Sequence, residues 1–363
     1  MSGDFTWFAN RFRIRALPAR LDDERHAAAA AGMSGDRNDT PGGVLVVRPS
    51  SLGDIVYALA VVSDIRRERP AFAVDWVAEQ GFMPLIELCP DVRRVIAFGL
   101  RGWRKSPFAA STWRAIRTFA AELRRTRYDA ILDLQEQVKG ALIAKVARGP
   151  SHGFDRASIR EPLATLGDDV HHRVPRDLHF LARCRQLAAA ALGYAIDGAP
   201  RWNLRPPANA SAKPERPYAM ILHATSRDDK LWPESHWQAL LEAIERAGLV
   251  AVLPWGSEHE RARSERLARA VRHAVVPPWL ALPDAASLLA NAILAVGVDT
   301  GFTHLAAALG TPTVAIFTAT ERARHGVAIA GPHAQDVGDA GTLPTPDAVI
   351  GAAGTRLRTP PRC

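Results

Sequence analysis

Cysteine is scarce: Cys89, Cys184 and Cys363 are the only three in 363 residues, and their spacing suits neither a metal cluster nor a redox pair. They read as free thiols in a reducing cytoplasm. No apolar run approaches the roughly 18 residues of a membrane span, and the longest, such as 293–298, are strand-sized. The chain has no G-x-G-x-x-G after its first strand and no G-x-x-x-x-G-K-[ST], which speaks against nicotinamide oxidoreductases and P-loop enzymes. It also lacks H-E-x-x-H, so nothing points to a catalytic metal. No aromatic RNA-binding signature or recognition-helix pattern accompanies the basic residues, so nucleic acid is disfavoured as a partner.

Positive charge is abundant. A net +8 with pI near 9.9 calls for an anionic partner, and a phosphorylated substrate or an anionic lipid surface fits better than nucleic acid. Residues 1–42 stand apart: basic RFRIRALPAR, an alanine run at 27–31, then polar GMSGDRNDTPGG. No apolar h-region follows the basic residues, so this is not a secretory signal. The segment reads as a disordered extension or as a misassigned start, with Met33 the true first residue.

From Val44 strands and helices alternate. Strands are expected at 44–48, 72–77, 92–98 and 128–135, with helices at 54–69 and 112–126. A proline-rich, unpatterned stretch around 201–217 reads as a linker. The alternation then resumes, with strands at 218–224, 250–255, 292–299 and 313–317 and helices at 234–247, 258–272, 284–290 and 301–309. This is α/β organisation: a first domain over 43–200, a second over 218–341 and a loose tail over 342–363. Each domain is a doubly wound parallel sheet, and the two face each other across a cleft at their strand ends.

The chemistry gathers at those ends. SSLGD (50–54) sets Ser51, Gly53 and Asp54 where the first strand becomes a helix, so Asp54 is either a helix cap or a carboxylate with work of its own. VGVDTGFTHLAAALGTP (296–312) runs a strand into Asp299. Thr300 is the expected N-cap, Gly301 leaves the first N–H groups uncovered, and His304 lies one turn on. Such a helix start can hold a diphosphate. LHATSRDDKLWP (222–233) adds the Thr225 and Ser226 hydroxyls and Lys230, a compact cation suited to a leaving phosphate. In PWGSEHERARSERLA, Glu258 or Glu260 is placed to accept ribose hydroxyls. The first domain offers GLRGWRKS and DRASIREP, whose Arg101, Arg104, Lys105, Arg156 and Arg160 suit carboxylates or phosphates, with Trp103 marking a binding edge.

These segments, in this order, resemble glycosyltransferase family nine, the ADP-heptose-dependent lipopolysaccharide heptosyltransferases of the two-domain GT-B fold. The resemblance spans about 43–320 and is carried best by HATSRDDKLWPE and VDTGFTHL. RGWRK with IREP favours the member that adds the first heptose over those that extend an already heptosylated core. It implies transfer of L-glycero-D-manno-heptose from ADP-heptose to the Kdo of Kdo–lipid A, with inversion and with no metal or other cofactor. Asp54 would be the catalytic base, and Lys230 would meet the diphosphate beside Thr225 and Ser226. Glu260 would meet the ribose, Asp299 the heptose, and Thr300, Gly301 and His304 the diphosphate region. Ser51, Gly53, Arg101, Arg104, Lys105 and Arg160 would face the phosphorylated acceptor. The enzyme would be cytoplasmic and peripheral, docked on the anionic cytoplasmic face of the inner membrane. The alternatives are a later-acting heptosyltransferase and a non-catalytic nucleotide- or lipid-binding protein. TATERARHG after TVAIF departs from the family's usual turn, and the family's C-terminal helix has no counterpart in the tail as read here.

Overall fold

The computed structural model describes residues 43–208 and 213–358. The extension expected at 1–42, Cys363 and the middle of the linker lie outside them. Among the described residues, twelve strands form two six-stranded sheets, parallel throughout. The first holds β1 (Gly43–Val47), β2 (Ala73–Glu79), β3 (Val92–Phe98), β4 (Ala130–Asp133), β5 (Ser151–Phe154) and β6 (Val170–His172), in the order β3-β2-β1-β4-β5-β6. The second holds β7 (Tyr218–Leu222), β8 (Val250–Val252), β9 (Ala274–Val275), β10 (Leu294–Val298), β11 (Thr313–Phe317) and β12 (Ala334–Gly338), in the order β12-β11-β10-β7-β8-β9. The two orders are the same doubly wound topology, with switch points between β1 and β4 and between β7 and β10.

The central strands read as unbroken apolar runs because helices cover both faces of each sheet. GVLVV in β1 and YAMIL in β7 are buried at every position. The covering helices of the first half are α1 (Leu52–Glu68), α2 (Leu100–Lys105), α3 (Ala110–Arg124), α4 (Val138–Val146) and α5 (Phe180–Leu192). Those of the second are α6 (Glu234–Arg246), α7 (Glu258–Ala268), α8 (Leu282–Asn291), α9 (Gly301–Ala308) and α10 (Pro346–Arg358). Helix α6 follows Pro233, its N-cap, and Gly248 beyond its end takes φ 78°, the left-handed stop that glycine permits. No helix among the described residues is long and apolar enough to cross a membrane.

The loose tail is corrected: α10 occupies Pro346–Arg358, with Pro346 at its first turn and Val349, Ala352 and Ala353 buried on one stripe. That stripe packs on α6 and β11, so the helix stays with its own sheet and does not return to the first half. The linker is patterned at its start. Trp202 Nε1 donates to the Val56 carbonyl at 2.6 Å and Asn203 to Asp91 at 2.7 Å, tying residues just after 200 to the first half. Between the halves, α1 lies directly on α9, and one apolar cluster runs from Val44 and Ile55 through to Leu222 and Leu305.

Candidate active site

Both switch points open onto the seam between α1 and α9. β1 leads through Arg48 and the 49–51 loop into α1, and β10 leads through Asp299 into α9. Asp54 sits in the first turn of α1. Its Oδ2 accepts the Ser51 hydroxyl at 2.7 Å and the Ser51 N–H at 3.2 Å, which is the helix-capping half of its role. The same oxygen lies 2.5 Å from the Arg48 guanidinium, which is 6% exposed, while the Asp54 side chain keeps 26% of its surface open. Burial pushes the Asp54 carboxyl up, but Arg48, the Ser51 bonds and His325 outweigh it and hold it below the ordinary carboxylate range. It is therefore a carboxylate throughout the neutral range. Arg48 in turn sits over the Phe180 ring of α5, which fixes its plane.

Across the seam, Asp299 spends both oxygens within the second half. Oδ2 lies 2.6 Å from Lys230 Nζ and Oδ1 3.1 Å from His304 Nε2. Thr225 Oγ1 donates to the Asp299 backbone carbonyl at 3.0 Å, joining the strand-end loop of β7 to that of β10. Burial raises the Asp299 carboxyl, yet His304 and Lys230 drive it far below its usual range. His304 Nδ1 then meets the Tyr57 hydroxyl of α1 at 2.9 Å, and that hydroxyl also contacts the carbonyls of His325 and Gly326. Tyr57 thus ties the two halves together one turn beyond Asp54. Burial first, then Asp299, lifts its phenol well above the ordinary value, so it stays protonated as a donor.

Both glycines singled out in the sequence serve this seam. A Cβ on Gly53 would lie 2.6 Å from His304 Cδ2, and one on Gly301 would lie 2.6 Å from three side-chain atoms of Leu52. The closest approach at each is thus made by the opposite half. Gly301→Ala is expected to force α1 from α9 at an overpacking cost of about 1–3 kcal/mol, read as a melting temperature several degrees lower. Calorimetry checks this; an unchanged melting temperature would mean the seam yields freely.

The structure brings Ser51, Gly53, Asp54, Thr225, Lys230, Asp299, Gly301 and His304 to one seam. Thr300 is the N-cap of α9, although its side chain makes no capping bond, and Ser226 is half-buried in the same loop as Thr225. Glu260 is buried and accepts the Gly256 N–H at 2.7 Å, so its carboxylate already closes the turn ahead of α7. Arg101 pairs with Glu79 at 2.5 Å. Arg104 and Lys105 on α2, and Arg160 after β5, are exposed. The half-buried Trp103 packs its indole against Phe98 and Phe119, which pins α2 to the sheet.

Sequence reasoning overlooked Arg48, Tyr57, Lys139 and His325. Arg48 and Tyr57 carried a signal, one at a central strand's carboxyl end and the other one turn beyond the candidate base. Lys139, half-buried at the start of α4, donates to Ser50 Oγ at 2.8 Å. Burial lowers its ammonium, and Glu79, Arg48, Arg101 and Asp54 act on it electrostatically. His325 stems from the atypical turn after β11, which here forms a short helix, Arg322–His325. No group of three or more His, Cys, Asp or Glu among the described residues is arranged to hold a metal ion.

The profile of glycosyltransferase family 9 (heptosyltransferase) matches residues 116–340. The chain belongs to this family. Lipopolysaccharide heptosyltransferase 1 of Pseudomonas aeruginosa is 39% identical over 279 residues, covering 76% of this chain and 79% of the relative. The Escherichia coli K12 protein of the same name is 37% identical over 286 residues, covering 77% and 88%. Among solved structures, E. coli heptosyltransferase WaaC with ADP superposes with a TM-score of 0.78 at 34% identity, over 86% of this chain and 99% of that one. E. coli heptosyltransferase II, at 20% identity and a TM-score of 0.70, shares the fold. This family 9 chain is therefore a glycosyltransferase of GT-B architecture, and the two sheets are its two facing domains.

Proposed function

We propose that this glycosyltransferase moves L-glycero-D-manno-heptose from ADP-heptose to the Kdo of Kdo–lipid A, with inversion at the anomeric carbon. The observation that carries the reading is the seam: an ionised, part-open Asp54 on one side and the Lys230–Asp299–His304 cluster on the other, with relatives named heptosyltransferase 1 on most of the chain. A structure of WaaC with an ADP-2-deoxy-2-fluoro heptose supports a sugar nucleotide as donor.

In this reading the acceptor hydroxyl attacks the anomeric carbon as its proton passes to Asp54. The bond from that carbon to the phosphate oxygen breaks, and the electron pair leaves on ADP. Lys230 and the N-terminus of α9 take up the charge that develops there. Arg101, Arg104, Lys105 and Arg160, with Lys139, meet the anionic acceptor. Because that acceptor is a lipid, the enzyme works at the cytoplasmic face of the inner membrane as a peripheral protein. Incubation with ADP-heptose and Kdo–lipid A should release ADP and yield a product heavier by one heptosyl unit by mass spectrometry. Turnover on a heptosylated core alone would assign a later step, and no ADP release with either acceptor would leave a binding protein.

A further inference from the structure

Residues 100–127 hold eight arginines and lysines against one acid, Glu122, so this stretch carries nearly all of the chain's net +8. It contains α2 and α3. On α3 only Thr112 and Leu123 are buried, and Arg114, Arg117 and Arg124 face outward. Two aromatics stand in the same surface: Phe108 is 93% exposed and Trp113 55%. They occupy the positions before and after the α3 N-terminus that ordinarily clasp each other as a hydrophobic staple, yet most of both remains in water. A helix-stabilising role therefore does not account for them. The neighbouring α4 exposes Leu142, and the 3-10 turn Pro162–Gly167 packed on it exposes Leu163 and Leu166, at 71% and 81%. Helix α3 also touches α4, so these exposed leucines stand on elements next to it.

We infer that this face is a bilayer-docking surface for an anionic leaflet, with Phe108 and Trp113 entering the headgroup region and the arginines of α3 meeting lipid phosphates. Cationic charge with exposed aromatics and leucines is the pattern of an interfacial binder. Each cation near an anionic surface strengthens binding by about fivefold. Aliphatic Leu142, Leu163 and Leu166 offer no stacking platform for bases, which favours lipid over single-stranded nucleic acid. The placement has a use. The surface adjoins Arg101 on α2 and Lys139 on α4, so a docked protein would present its acceptor wall at the level where a lipid-borne sugar emerges. The purpose of the surface rests on the proposed lipid acceptor, but the docking itself does not.

Flotation with vesicles of phosphatidylcholine, with and without about one-third phosphatidylglycerol, tests it in the full chain. Wild type is expected to float with the anionic vesicles and to be released as salt rises well above about 0.15 M. Phe108→Ser/Trp113→Ser and, separately, Arg114→Glu/Arg117→Glu should each lower the partition at least about tenfold, with melting temperature unchanged. Bromine-labelled lipid should quench fluorescence in wild type more than in Trp113→Phe. The aromatic pair variant should keep wild-type kcat/KM on a water-soluble Kdo acceptor and lose rate when the acceptor is embedded in vesicles. Equal flotation of wild type and both pair variants would overturn the proposal, as would tighter binding to single-stranded RNA than to anionic vesicles. Vesicle binding without heptose transfer would leave this surface standing and remove the functional reading instead.

Discussion

Asp54→Ala is expected to lower kcat by about 10²–10⁴-fold and to leave ADP-heptose affinity within about threefold. The asymmetry follows from position. Asp54 belongs to the first half, whereas Lys230, Thr225, Asp299 and the start of α9 belong to the second. Because Asp54 also accepts the Ser51 N–H, alanine removes the N3 half of a capping box as well as the proposed base. Asp54→Asn separates the two roles, since the amide oxygen still caps but takes no proton. An inactive Asn variant with near-native melting temperature identifies a base, and an active one reduces Asp54 to a cap. Isothermal titration with ADP-heptose in the absence of acceptor, beside steady-state turnover, reads both quantities.

The acidity of Asp54 sets the pH profile. Arg48 is the largest influence opposing burial and keeps the folded carboxyl below its unfolded value. The stability this contributes is present above the unfolded carboxylate range and is lost as pH falls through the depressed folded value. Wild-type turnover should thus be independent of Asp54 titration across neutral pH. In Arg48→Met the burial contribution is less opposed, so the acid limb of the rate profile should move to higher pH. A limb that stays in place would show that the Ser51 bonds, not Arg48, govern the charge. A carboxylate held below its ordinary range is a weak base, so in the proposed role Asp54 would act through placement more than through basicity.

Where the sequence was most legible, the strands were apolar at every position and the loops held glycine. The β1–α1 and β10–α9 junctions could be located because a buried strand gives way abruptly to a polar turn. The stretch from 135 to 200 was illegible for a physical reason: SHGF and VHH are short edge-side strands rich in histidine, with none of the β-branched runs that mark β1 or β10. AQDVG in β12 failed in the same way, and the two glycines and nearby prolines of α10 hid a stripe of only three small buried residues. At the site, residue types signalled chemistry but not partners. Nothing in DTGFTH tells that Gly301 meets Leu52, or that His304 joins Asp299 to Tyr57 some 247 positions upstream. Glu260 shows the limit from the other side, since an acid at a helix start is as readily a capping residue as a ribose acceptor.

Lys230→Ala is expected to lower kcat/KM by about 10²–10³-fold, with weaker binding of ADP as well as slower turnover. One Lys230 proton is committed to Asp299 at 2.6 Å, which aims the ammonium while leaving two donors for a diphosphate. Without the lysine, Asp299 is a buried carboxylate held by His304 alone, and breaking a buried pair by removing one partner costs about 3–5 kcal/mol. Lys230 keeps 17% exposure, so the cost should fall toward the lower end. The loss of activity therefore has two sources, a missing cation at the leaving group and a stranded anion. The double variant Lys230→Ala/Asp299→Asn separates them by removing the stranded charge. It should regain much of the melting temperature lost by Lys230→Ala yet recover little turnover, because no cation meets the departing diphosphate. Recovery of both would reduce Lys230 to a counter-ion for Asp299 and move leaving-group stabilisation to the N-terminus of α9.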